Sequence, residues 1–273
     1  EVNRSEPLSR ELTNTPASQV HNYLSSVYFD NDEGLSYHRR IAQEEDATLL
    51  RIRWYGGVEG NDDIPKPGSA ETIFFVELKT HHDEVQSGLK STKERFPITG
   101  SMLTAFLDGS LNSDHCIDVM AAQGHIRPDK VLSQKELASF MQQTLLKDKL
   151  EPKIRTVYHR TAFQLSNSNE VRISFDLPMS LLKENGSDGG TKKPATWMER
   201  FSSNEYEPTR FPFGILEVKT SEEPPEWITE LIATGWLVQV EKFSKFQHSM
   251  AIFHPDAVTV QPYWMNEMSK YQP

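Results

Sequence analysis

The most constraining feature of the sequence is a period-two alternation of charged and apolar side chains in five separate segments. In residues 50–55, for example, Arg51 and Arg53 flank Ile52. Successive side chains of a β-strand point to opposite faces of its sheet. The alternation therefore predicts a β-rich fold whose strands carry one apolar face and one charged face.

Strand signals are strong elsewhere along the chain as well. Segments rich in β-branched and aromatic residues, bounded by turn residues, predict strands at 25–30, 49–55, 73–80, 155–165, 171–176 and 214–220, with two shorter ones at 236–240 and 257–260. Three short matches between the halves of the chain, such as Glu77-Leu78-Lys79-Thr80 and Glu217-Val218-Lys219-Thr220, suggest two related halves around one sheet or barrel.

Helices are predicted at fewer places. Ser133 and Glu136 have the spacing of a capping box and predict a helix from there to about Leu150. A proline pair at 224–225 opens a second helix, and residues 100–107 favour a third. The polar stretches 56–71 and 183–210 are interpreted as long loops rather than linkers, because similar strand patterns flank both.

Composition narrows the possible partners and compartment. The net charge is −10, which argues against a nucleic-acid partner, so any anion site must concentrate its cations in one place. Cys116 is the single cysteine, so an intrachain disulfide is impossible and a reducing compartment is expected. No apolar run approaches the roughly 18 residues that cross a bilayer, so we expect a soluble domain.

The charged faces carry mainly arginine and lysine. The simplest interpretation is a solvated face of a half-buried sheet. Against it, arginine is abundant, the cations lie in mid-strand, and the chain as a whole is acidic. Arginine and lysine suit phosphate oxygens, and Glu77 and Glu217 could neutralise cations or hold a divalent metal. The pattern predicts a phosphate or polyanion site without fixing the reaction.

Several of these motifs resemble a known family. They are Leu50-Arg51-Ile52-Arg53-Trp54-Tyr55-Gly56-Gly57, Phe75-Val76-Glu77-Leu78-Lys79-Thr80-His81, Arg160-Thr161-Ala162-Phe163-Gln164-Leu165, Val171-Arg172-Ile173-Ser174, Leu216-Glu217-Val218-Lys219 and Lys242-Phe243-Ser244-Lys245-Phe246. Together they are similar to the polyphosphate polymerase domain of the vacuolar transporter chaperone complex, one of the triphosphate tunnel metalloenzymes. The resemblance extends from about Val27 to Trp264.

The resemblance implies an α+β, mainly β fold: a closed antiparallel tunnel barrel of about eight strands with helices packed outside. It implies transfer of the terminal phosphoryl group of ATP onto inorganic polyphosphate, with a divalent metal, Mn²⁺ or alternatively Mg²⁺. Glu217 would be the metal ligand. The residues that it implies for catalysis are Arg51, Arg53, Lys79, Arg160, Arg172 and Lys245, and for substrate binding Tyr158, Lys219, Lys242, Ser244 and Glu77.

Two departures from the family pattern stand out. The opening tunnel strand with its lysine has no match in residues 1–24, so residues 25–273 are interpreted as a single tunnel domain that lacks this strand. Leu78 stands where an arginine is expected. Two alternatives therefore stay open: an inactive accessory domain that binds polyphosphate or inositol pyrophosphate, and a hydrolase of tripolyphosphate or polyphosphate.

The resemblance also implies partners and a location. The partners would be ATP, polyphosphate and other subunits of a membrane-bound complex. The domain would lie on the cytosolic face of a vacuolar or acidocalcisome-type membrane, as part of a larger protein.

Overall fold

The computed structural model describes residues 18–56, 71–164, 171–184, 208–220 and 223–271. Their centre is one antiparallel sheet of eight strands in the order β4-β3-β2-β1-β5-β6-β7, with β8 pairing a second stretch of β6. The strands are β1 Ser18–Asp30, β2 Thr48–Tyr55, β3 Ile73–Thr80, β4 Thr92–Thr99, β5 Glu151–Gln164, β6 Val171–Lys183, β7 Thr209–Phe211 and β8 Ile215–Thr220.

Helices fill the connections and the end of the chain. Those described are α1 Leu35–Ile41, α2 Glu84–Ser87, α3 Gly100–Leu107, α4 Ser113–Ala122, α5 Val131–Lys147, α6 Glu226–Ala233, α7 Lys245–Phe253 and α8 Trp264–Met268. The α+β, mainly β architecture predicted from the sequence is confirmed.

The apolar face of β1 to β4 forms the main core. Val27, Ile52 and Val76 lie side by side in register and have no exposed surface. Helices α3, α4 and α5 cover this face, with buried side chains such as Phe106 and Met141 packed against the strands. The opposite face carries the charged side chains, and α1 and α7 pack against one end of it through Tyr37 and Phe246.

Closure of the sheet into a barrel is not seen in the described residues. Strand β4 forms one edge, and β7 and β8 both lie at the other end, next to β6. The pairings recorded among the described strands do not join these two edges. The antiparallel eight-stranded sheet is thus established, whereas the closed tunnel stays an expectation.

Several predicted strands differ from the structure. Strand β1 begins at Ser18 rather than residue 25, because it pairs along its whole length with β5. The segments 236–240 and 257–260 are not strands; the second begins at the last residue of the 3₁₀ turn Pro255–Ala257. These two segments have short apolar patterns, but among the described residues no neighbouring strand pairs with them. Strands β4 and β7 were not predicted.

The helices show a similar mixture. Those predicted at 100–107 and after Pro225 are confirmed. The third helix begins at Val131, so Ser133 lies inside it rather than at its N-cap. The Ser133 hydroxyl donates to the Lys130 carbonyl, and the capping-box assignment was wrong. The N-cap of this helix is Lys130, whose side chain makes no capping hydrogen bond.

Candidate functional site

A buried ion pair lies at the middle of the charged face. Arg51 on β2 is in register with Glu77 on β3, and its Nε donates to Glu77 Oε2 at 2.6 Å. The other carboxylate oxygen of Glu77 lies 3.1 Å from Lys93 Nζ and 3.7 Å from Arg95, both on β4. Burial alone would raise the pKa of Glu77, but the charges of Arg51, Arg53 and Lys93 lower it to about 2. Glu77 is therefore ionised and shared among several cations.

Arg53 lies next along the same face but is held by neutral groups. Its Nε donates to Ser26 Oγ at 3.0 Å, and a terminal nitrogen donates to the Tyr158 hydroxyl at 3.1 Å. The contacts recorded for it among the described residues include no carboxylate. These two hydrogen bonds fix the plane of a buried guanidinium without cancelling its charge, which suits an anion-binding role.

Lys79 is the next basic residue on this face, near the end of β3. Burial lowers the pKa of its ammonium well below the usual value, and the charges of Arg51 and Arg53 lower it further. No carboxylate partner is recorded for it within the part of the chain that the structure describes. A bound anion would reverse this shift, because it would offset the repulsion from the neighbouring guanidinium groups.

Tyr28 links the two halves of the charged face. Burial raises the pKa of its phenol, yet Arg51, Arg53 and Lys245 together bring the pKa below its usual value. Lys245 comes from helix α7, whereas the two arginines come from β2. Arg51 also donates to the Tyr28 hydroxyl at 3.3 Å, and the Tyr28 ring lies 5.6 Å from that of Phe246 on α7, so Tyr28 lies between β2 and this helix.

The second half of the face is organised by Asp176 on β6. Arg160 on β5 forms a bidentate pair with it, at 2.6 and 2.7 Å, and Lys245 Nζ lies 2.8 Å from the same carboxylate. Lys245 also lies over the Tyr158 ring, 4.8 Å from its centroid. Burial raises the pKa of Asp176, but its hydrogen bond to Arg160 and the charge of Lys245 lower it overall. Asp176 thus orients two of the predicted catalytic cations.

Glu217 on β8 is the predicted metal ligand. It lies 3.3 Å from Lys219 and 3.7 Å from Arg160, and its side chain is 44% exposed, unlike the 1% of Asp176. Burial raises its pKa, but Lys219 and Arg160 lower it, so the group is ionised. Mg²⁺-type sites use one or two carboxylates together with substrate phosphates. The exposed, ionised carboxylate of Glu217 beside the cations of this face fits that description.

The other predicted residues are placed less centrally. Arg172 and Lys219 face each other across β6 and β8, and both are exposed. Lys242 donates to the Gln43 side chain, and the Ser244 hydroxyl accepts from Gln247 N at 3.3 Å as the N-cap of α7. The hydroxyl of Ser244 is thus used to start the helix that presents Lys245.

Four residues of this face were not among the predicted site residues. Lys93 and Arg95 belong to β4, where the alternation with Phe96 and Ile98 was available as a signal but is interrupted by Pro97. Asp176 and Tyr28 lie on predicted strands and were missed because a lone acid or phenol carries no distinctive motif. Only the tertiary contacts reveal their partners.

One group of metal-ligating side chains lies outside the charged face. Glu45, Asp46 and His82 bring their ligand atoms within 4.8 Å of one another. The His82 Nδ1 atom lies 2.8 Å from Glu45, whose other oxygen accepts from Asp83 N. These bonds explain the cluster as a brace between two loops.

Within the described residues, no helix is long and apolar enough to span a membrane.

Comparison with known proteins identifies the family. The family model described as "VTC domain" matches residues 3–254, and the chain belongs to this family. It is 34% identical over 257 residues to vacuolar transporter chaperone complex subunit 4 of Schizosaccharomyces pombe, covering 90% of this chain and 34% of that protein. Subunit 4 of Trypanosoma cruzi is also 34% identical, with 90% and 30% covered.

A second type of subunit is also similar. Subunit 2 of the Schizosaccharomyces pombe complex is 26% identical over 261 residues, covering 89% of this chain and 33% of that protein. The chain thus spans about a third of the length of the relatives that it matches. The resemblance to a VTC domain inferred from the sequence motifs is confirmed.

Proposed function

We propose that this chain is a polyphosphate polymerase domain that transfers the terminal phosphoryl group of ATP onto a growing polyphosphate chain. The observation that carries the proposal is the surplus of cations on one face of the sheet. Around the single carboxylate of Glu77 lie Arg51, Arg53, Lys79, Lys93 and Arg95. Such a surplus costs stability unless an anion offsets it.

The proposed role of each cation follows from its contacts. Phosphoryl transfer needs positioning and charge neutralisation rather than a covalent intermediate. Arg51 and Arg53, held by Glu77, Ser26 and Tyr158, would grip phosphate oxygens at one end of the site. Arg160 and Lys245, both fixed by Asp176, would grip them at the other.

Glu217 would hold a divalent ion, Mn²⁺ or Mg²⁺, which when bound neutralises charge on the reacting phosphates. We further propose that the sheet curls so that these cations line a closed tunnel. Tyr28 supports this proposal, because charges from strand β2 and helix α7 both act on it. The chain would assemble with other subunits of a chaperone complex of this kind, on the cytosolic face of a vacuolar or acidocalcisome-type membrane.

A non-catalytic accessory role is the second candidate, because the chain is similar to two types of subunit, 4 and 2, and their names do not state which of them is catalytic. Incubation with ATP and Mn²⁺, followed by separate assays for polyphosphate and free phosphate, distinguishes the three functions. A polymerase yields polyphosphate, a hydrolase yields phosphate alone, and an accessory domain yields neither while still binding tripolyphosphate.

Two variants test the assigned roles. Glu217→Gln keeps the shape but removes the charge that binds the metal, so we expect polyphosphate synthesis to fall at least about 100-fold while tripolyphosphate binding survives. Arg172→Ala removes a cation and should weaken both binding and turnover, by about tenfold. Equal synthesis by Glu217→Gln and the unmodified chain would show that Glu217 is not the metal ligand.

A further inference from the structure

A pocket of about 300 Å³ lies at the β4 edge of the sheet, beside the charged face. Its walls come from the ends of β3 and β4 and from the connection between α4 and α5. The lining combines apolar side chains with cationic and amide groups: Phe75, Pro97 and Ile126, and Arg95, Arg127 and Gln134. Of these residues, only Arg95 also belongs to the group of cations around Glu77.

Arg95 joins this pocket to the phosphate-binding residues. Its guanidinium lies 4.5 Å from the centroid of the Phe75 ring, and one nitrogen lies 3.7 Å from Glu77 Oε1. Glu77 in turn holds Arg51 at 2.6 Å. A ligand whose phosphates contact Arg51 and Arg95 therefore has its next group beside Phe75.

The apolar part of the pocket indicates what that group is. A bare phosphate chain has no surface that an aromatic ring, a proline and an isoleucine would attract. A nucleobase has such a surface, because planar bases stack on aromatic rings and on guanidinium groups. A volume of about 300 Å³ is at the lower end of the range for small-molecule sites, which suits a base rather than a large cofactor.

We propose that this pocket binds the base of the nucleoside triphosphate donor, with Phe75 and Arg95 as the stacking surface and Gln134 as a hydrogen-bonding partner. The inference rests on the proposed function, because it assigns a place to the donor of that reaction. Polyphosphate has phosphates but no base. The pocket therefore distinguishes the nucleotide donor from the polyphosphate acceptor.

The test compares two ligands in three variants of the chain. The ligands are a non-hydrolysable ATP analogue, adenylyl imidodiphosphate, and inorganic tripolyphosphate, measured by titration calorimetry at one salt concentration. Phe75→Leu keeps an apolar side chain and removes the ring. Gln134→Ala removes the amide from a helix that tolerates alanine well. Gln143→Ala is the matched control, since Gln143 is an exposed glutamine of the same helix outside the pocket.

We expect Phe75→Leu and Gln134→Ala each to raise the dissociation constant of the nucleotide analogue about five- to tenfold. Both should leave the dissociation constant of tripolyphosphate unchanged within about twofold, and Gln143→Ala should change the dissociation constant of neither ligand. If Phe75→Leu fails to fold by thermal melting, Gln134→Ala decides alone. Unchanged nucleotide binding, or an equal weakening of both ligands, overturns the base pocket while the proposed function stands. If the unmodified chain binds neither ligand, the proposed function fails as well.

Discussion

Replacement of Glu77 tests directly whether the charged face is built for an anion. Glu77→Gln keeps the side-chain shape and removes the carboxylate charge from beside Arg51, Lys93 and Arg95. In the unmodified chain Glu77 has no exposed surface, so little solvent screening reduces its interactions. We expect the variant to fold less stably and to bind phosphate chains more tightly.

The magnitude follows from the pKa. The folded chain lowers the pKa of Glu77 from its ordinary value of 4.5 to about 2. Because each pKa unit corresponds to about 1.4 kcal/mol, the ionised carboxylate stabilises the fold by about 3 kcal/mol at pH 7. A lowered pKa means that this contribution is complete above about pH 4.5 and is lost as the pH falls through 2. At pH 3 about 1.4 kcal/mol should remain.

The assay is urea unfolding followed by tryptophan fluorescence, for both proteins at pH 7 and pH 3. The difference in unfolding free energy should shrink from about 3 to about 1.4 kcal/mol between these pH values. Tripolyphosphate at pH 7 should raise the melting temperature of Glu77→Gln more than that of the unmodified chain, because the anion supplies the missing negative charge.

Two results would refute this reasoning. A stability difference that is the same at both pH values would mean that lost packing, not lost charge, causes the destabilisation. Equal stabilisation of both proteins by tripolyphosphate would mean that the anion binds away from Glu77. Gln142→Ala provides a comparison for the loss of structural hydrogen bonds, since the Gln142 amide donates to the Phe106 and Leu111 carbonyls.

Two further predictions concern salt and pH. Tripolyphosphate should raise the melting temperature of the chain, and its affinity should fall steeply between low and moderate salt because several cation–phosphate contacts are screened together; an unchanged melting temperature at millimolar ligand would count against the site. His248 packs between Phe211 and Phe243, and burial lowers the pKa of its imidazole to about 4. Because the unfolded chain binds the proton more readily, stability should fall as the pH drops from 6.5 towards 4, by about 2 kcal/mol at pH 5. His248→Leu should remove that loss in unfolding experiments, and an unchanged pH profile would exclude His248 as its source.

The sequence predicted the alternating strands and the composition of their charged face. Arg51, Arg53, Glu77 and Lys79 lie on one side of β2 and β3 because a two-residue period leaves no other arrangement. The same alternation placed Arg160, Asp176 and Glu217 on the charged faces of β5, β6 and β8. Strand β4 was not predicted because Pro97 interrupts its pattern. The start of β1 was not predicted because the residues before 25 lack an apolar alternation of their own.

The sequence by itself therefore determined most of the strands and the kinds of side chain on each of their faces, since both follow from local periodicity. Only the tertiary structure decided which charges meet. Asp176 joins Arg160 to Lys245, and Arg53 reaches Tyr158, across 105 residues of chain. Those contacts depend on strand register and on the position of helix α7, which arise when the whole core packs and which no short motif encodes.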